Sequence, residues 1–258
     1  MGDMILDGGN VKFKWGNDCL KVRPLSDADL YVNREPLERI DKTLFRFLDE
    51  CYIDDFLNKG ELWLSNFEGC GSIKDDNRRD RHEGFGTLCA TDGRFTIEMC
   101  VRLGMNPLML CCANNLNAYT RHKTCLRIFN PTGLRDAITE ALVRKGRKVR
   151  QVLQGACEYG NRMIYKQVPP GNVAFDGMLQ YAQKCPQKLS YCHIDSFVRV
   201  VGGNRLYFIK PTRYRKEKEY RLIWDCNRME GDRYESVTIA NPDLYAEKYR
   251  VMDDGKGR

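Results

Sequence analysis

FIKPTRYRKEKEYRLIWD, residues 208–225, is the stretch whose reading decides the fold. Apolar residues alternate at its two ends, Leu206 and Phe208 before, Leu222 and Trp224 after, which is the period of a half-buried strand. Between them lie Glu217 and Glu219, framed by Lys210, Arg213, Arg215, Lys216, Lys218 and Arg221. A strand beginning near Lys218 would turn both carboxylates to one face, because side chains at i and i+2 share a side. Two paired carboxylates among cations suit contact with a cationic ligand or a sugar hydroxyl. They also suit a solvated, charge-balanced hairpin end with no chemistry at all.

Outward from this stretch, the patterning alternates between strands and three helices. Strands are expected at 44–47, 62–65, 87–90, 95–101, 108–113, 124–129, 149–159, 220–224 and 237–240. Hairpins are expected around Asp92-Gly93 and over 197–210. Helices are expected at 49–59, closed by Gly60, at 134–145 and at 173–184. Residues 66–84 read as a long polar loop. The result is α+β, a single domain with a mixed, mainly antiparallel sheet. Residues 1–43 read as an irregular leader packed on a domain at 44–250, and 251–258 as a polar tail.

The chain of 258 residues carries a net charge of +7, which favours a polyanionic partner such as nucleic acid or a phosphate-rich cofactor. No apolar run approaches a membrane span, and the first residues lack a signal-peptide layout. Both point to the cytoplasm. The 12 cysteines include no CxxC pair and several sit in apolar runs, so buried reduced thiols are expected and no metal site.

Four pieces, in order, resemble a bacterial domain family catalogued as of unknown function: LFRF with GELWLSN (44–66), RRDRHEG (78–84), PLMLCCAN…TCLRIFNPTGLRDAITEAL (107–142) and FIKPTRYRKEKEYRLIW (208–224). That family in turn resembles a distant branch of the ADP-ribosyltransferase superfamily, with toxin-like and phage-defence members. The resemblance implies an ADP-ribosyltransferase-like fold and an NAD-dependent transferase acting on an intracellular macromolecule. The acceptor is DNA, RNA or a protein, and an antitoxin or regulatory partner is implied. It assigns Arg46, Ser65 and Glu219 to the superfamily's three strand-borne positions. Ser65-Asn66-Phe67 stands where the superfamily has Ser-Thr-Ser.

The chemistry suggests further residues. Glu219 would stabilise the cationic ribose and Glu217 would take the acceptor's proton. Their proximity should push their pKa values apart. Arg46 or Arg79 would hold the pyrophosphate. Trp63, Phe67 or Tyr119 would wall the nicotinamide. Asp80 and Glu83, with Arg147 and Lys148 of the basic run 144–150, are candidates for acceptor binding. The alternatives are a non-catalytic nucleic-acid or protein-binding module of the same fold, and a metal-free hydrolase or nuclease built on Asp80, Glu83 and Glu217 or Glu219.

Overall fold

A computed structural model describes residues 3–7, 10–15, 18–24, 42–71, 85–102, 107–118, 124–160, 163–184, 197, 201, 203–226 and 233–251. Strands and helices are numbered along the chain. The fold is α+β with mainly antiparallel sheets, as the patterning predicts. Its residues group into two compact units with interleaved segments, and each is described separately.

The first unit draws on segments within Met1–Glu35, Gly84–Gly104 and Gly160–Ile209. Its sheet has the order β1 (Asp3–Asp7), β2 (Asn10–Trp15), β3 (Asp18–Pro24), β7 (Phe95–Arg102), β6 (Phe85–Thr91), β12 (Met163–Gln167). Neighbours run antiparallel except β12, which lies parallel to β6. The β6–β7 hairpin turns where expected. Asp92 Oδ1 accepts from the backbone N–H groups of Arg94 and Phe95 at 2.8 Å each, and Gly93 takes a φ of 89°. Leu88, Ala90, Ile97 and Met99 pack with Ile164 and with Phe175 and Met178 of α4 (Val173–Lys184). Two expectations fail here. Asp3–Asp7, Asn10–Trp15 and Asp18–Pro24 are strands where an irregular leader is expected; in the sequence Val11, Phe13 and Trp15 alternate with lysines at strand period. The second arm of the hairpin expected over 197–210 is not a continuous strand: Gly203–Phe208 is a 3-10 turn leading into the two-residue strand β13 (Ile209–Lys210), and most of the first arm lies outside the described residues.

The second unit is built on β8 (Pro107–Ala113), a nearly all-apolar strand. One side of β8 pairs with β14 (Glu219–Cys226), which continues to β10 (Val149–Ala156). The other side pairs with β4 (Leu44–Arg46), then β9 (Thr124–Ile128) and β16 (Ala246–Arg250). Strand β5 (Glu61–Ser65) also meets β8 through Ser65 and Met109, and carries β15 (Tyr234–Thr238). Strand β11 (Glu158–Tyr159) follows β10.

One face of this sheet presents Leu44, Leu62, Leu64, Leu110, Leu222 and Trp224. It packs with Ile53 and Phe56 of α1 (Glu50–Lys59) and with Leu134, Ile138 and Leu142 of α3 (Pro131–Arg144). Helix α1 stops because Gly60 turns left-handed (φ 72°) and returns its N–H to the Phe56 carbonyl at 2.7 Å. Helix α3 starts because the Asn130 side chain accepts from Gly133 N–H at 2.9 Å, with Pro131 in the first turn. The opposite face carries the candidate site.

Candidate functional site

Strand register decides which side chains share that opposite face. Ala113 of β8 lies between Phe45 on one side and Glu219 on the other, Cys111 pairs with Arg221, and Met109 lies between Ser65 and Ile223. Directly paired residues point the same way, so Ser65, Cys111, Arg221 and Glu219 line one strip. Met109 and Ala113 are four residues apart, so Ser65 and Glu219 stand at opposite ends of a strip about 13 Å long. The short helix α2 (Phe67–Gly71) lies over it: the Arg221 guanidinium sits 5.7 Å from the Phe67 ring centre. Ser65 Oγ and Cys70 Sγ are 3.3 Å apart.

At the Glu219 end four charges meet. Lys210 Nζ donates to Glu217 Oε2 and Glu219 Oε2 at 2.6 Å each, and Arg221 Nε donates to Glu219 Oε1 at 2.5 Å. All four are buried, with exposures of 4% (Lys210), 8% (Glu217), 5% (Glu219) and 1% (Arg221). The expected convergence of the carboxylates is present, but its cause differs. Glu217 ends a 3-10 turn, Thr212–Glu217, and Lys218 takes a left-handed φ of 43° before β14 begins at Glu219. The turn brings Glu217 round to Lys210, where the sequence reading assigned this to strand pleating. The backbone is fixed on both sides. Lys218 C=O accepts from Asn114 N–H at 3.0 Å, Glu219 C=O accepts from Cys157 N–H at 2.8 Å, and Glu219 N–H donates to the Tyr159 hydroxyl at 2.7 Å.

The two carboxyls titrate in opposite directions. Burial opposes ionisation of Glu219 most strongly, yet Arg221 and Lys210 together outweigh it and hold the carboxyl well below the usual carboxylate range. Burial also dominates at Glu217, with the Glu219 charge adding to it. Lys210 alone does not offset them, so Glu217 is raised. The thiols of β8 are unreactive in character: on the strip, a hydrogen bond with Cys70, then burial and the Glu219 charge, push Cys111 up, and on the core face burial takes Cys112 to about 12.

The remaining sequence candidates fall in different places. Trp63 lies on the Ser65 side of β5 and is 45% exposed. Arg46 shares the face of Leu44, opposite Glu219, and its Nη2 donates to the Trp63 carbonyl at 3.0 Å. Arg147 forks onto Glu235 and both side chains are largely buried. Lys148 is exposed. Arg79, Asp80, Glu83 and Tyr119 lie outside the described residues.

Sequence reasoning missed Tyr234. It pairs with Ser65 across β5–β15, is 45% exposed like Trp63, and donates its hydroxyl to the Gly69 carbonyl at 3.0 Å. The pair places two exposed rings diagonally about Ser65. Their partnership depends on register between strands that are distant in sequence. No helix among the described residues is long and apolar enough to cross a membrane.

No protein-family model, curated protein or solved structure matches this chain.

Proposed function

We propose that the second unit is an NAD-dependent ADP-ribosyltransferase whose reacting centre is the Glu219 end of the strip. The observation that carries this reading is the pairing of Glu217 and Glu219 on one lysine with opposite protonation tendencies. Environments that push two carboxyls apart are how acid–base and electrostatic roles are divided. Glu219, held ionised, faces the positive charge that grows on the ribose as the nicotinamide leaves with its bonding electron pair. Glu217, held at a higher pKa, takes the proton of the attacking acceptor, a step worth about 10²–10⁴-fold. NAD is an elongated dinucleotide, which suits a strip rather than a compact pocket. Trp63 offers a flat wall at the Ser65 end, and Arg46 positions that wall through the Trp63 carbonyl. A toxin or antiphage role belongs to the same proposal and rests on the family resemblance.

A second reading has its own support. Lys210 and Arg221 balance both carboxylates inside the fold, as in a structural ion network of a non-catalytic binding module. One experiment separates the two: release of nicotinamide from NAD by purified protein and by the Glu219→Gln variant. The transferase reading requires release by the parent chain and its loss in a variant that melts as a folded protein. A parent chain that leaves NAD intact, and melts no higher when NAD is added, selects the structural network.

A further inference from the structure

The 3-10 turn that delivers Glu217 also exposes four cations. Arg213, Arg215, Lys216 and Lys218 all face solvent within six residues. The carboxylates next to them in sequence do not neutralise them, because Glu217 and Glu219 are turned inward onto Lys210 and Arg221. The contacts of these four are to neutral groups: Arg213 donates to the Tyr214 hydroxyl at 2.9 Å and stacks on its ring, and Arg215 reaches the Tyr159 carbonyl at 3.5 Å. Among the described residues none of the four makes an ion pair. Like charges packed this closely repel, and a polyanion would relieve the repulsion.

The other basic run behaves differently. Arg147 is held by Glu235, Lys145 donates to the Ser236 carbonyl at 2.5 Å, and Arg144 lies 3.8 Å from Glu140. The sequence reading placed the phosphate-binding cations there.

We infer that the exposed face of Thr212–Lys218 is a binding surface for the phosphate backbone of single-stranded nucleic acid. Residues three apart on a 3-10 turn eclipse one another and rise about 6 Å. Arg213 and Lys216 therefore stand in line at roughly the spacing of consecutive phosphates along a strand. Arg213 is braced by Tyr214, which leaves its fork in a fixed place, and a fixed fork suits phosphate oxygens. A membrane surface fits less well. The aromatic residue of the turn, Tyr214, is buried, so no apolar side chain stands beside the cations to enter a bilayer. In the transferase reading this surface holds the acceptor next to Glu217 and Glu219, and to that extent the inference rests on that reading. Binding itself does not require NAD.

The test is fluorescence anisotropy of a labelled single-stranded oligouridylate titrated with the full chain over a range of salt, without NAD. The parent chain should bind, with log affinity falling linearly against log salt by about 0.7 per phosphate contacted. The triple variant Arg213→Gln, Arg215→Gln, Lys216→Gln should flatten that slope by about two and lose at least tenfold in affinity at low salt. The charge-keeping pair Arg213→Lys, Arg215→Lys should retain most of the binding, which separates charge from loss of fold. Three results would overturn the inference: a parent chain that does not bind at low salt, a triple variant with unchanged slope, or displacement of the oligonucleotide by polyglutamate or anionic vesicles as readily as by unlabelled RNA. Nicotinamide release without acceptor is measured alongside. RNA binding without NAD consumption keeps the surface and removes the transferase; consumption without RNA binding does the reverse.

Discussion

Glu219 and its cations set the behaviour of the site at the scale of single residues. Removing one member of a buried ion network leaves a charge without compensation, which typically costs about 3–5 kcal/mol. Lys210→Met should therefore destabilise the protein by about that amount in urea unfolding; a change near zero would mean that the lysine does not bridge the two carboxylates. The pH dependence follows from the two shifts. The folded pKa of Glu219 lies below its ordinary 4.5, so its ionised form adds stability that is complete above about 4.5 and is lost as pH falls through the folded value. Glu217 has the opposite sign: its folded pKa is raised above 4.5, so stability declines as pH climbs from there through the raised value. Glu219→Gln should flatten the acid limb of a stability–pH curve, and Glu217→Gln should remove the decline above 4.5. Arg46→Ala removes the hydrogen bond to the Trp63 carbonyl and should lower stability by about 1.5–3 kcal/mol in urea unfolding, as for a hydrogen bond from a charged group, and in the transferase reading it should also weaken NAD binding in calorimetry. The residue types of the site were legible from their spacing. The roles of Lys210 and Arg221 were not, because sequence placed them only as two of six framing cations. Folding picked these two and turned the other four outward.

Elements were legible where periodicity and punctuation agreed. Helix α4 spans Val173–Lys184 as read, and α1 ends at Gly60 as read. The Gly60 position has a steric reason beyond its φ: a Cβ there would lie 2.0 Å from the Ile239 carbonyl oxygen. Gly60→Ala should cost more than the about 1–2 kcal/mol of a left-handed Ala alone, measured as a lower urea midpoint with unchanged slope. Asn130→Ala removes the α3 cap and should cost about 1 kcal/mol by the same measurement. Strands that tertiary pairing creates were harder to see. In β16 only Ala246 is buried, and its polar sequence becomes a strand because it pairs with β9. Strand β12 is short, with adjacent Ile164 and Tyr165 both buried, and so lacks alternation. At 197–210 the sequence Gly202-Gly203 resembles a hairpin turn, but Gly203 opens a 3-10 turn instead.

For the whole molecule, NAD should act as any ligand that binds only the folded state. At a hundredfold excess over its dissociation constant the expected stabilisation is about 2.7 kcal/mol, seen as a raised melting temperature. The interleaving of the two units has a different consequence. Strand β14 pairs with β8 along seven residue pairs but follows it by about a hundred residues, after segments belonging to the first unit. On the ribosome, the second unit's sheet therefore remains open until Glu219–Cys226 has left the exit tunnel. Nascent chains must keep the apolar β8 shielded through that interval. The carboxylate at the centre of the proposed chemistry is put in place only when β14 joins β8, so a chain interrupted before Glu219 would hold the strip without its charged end.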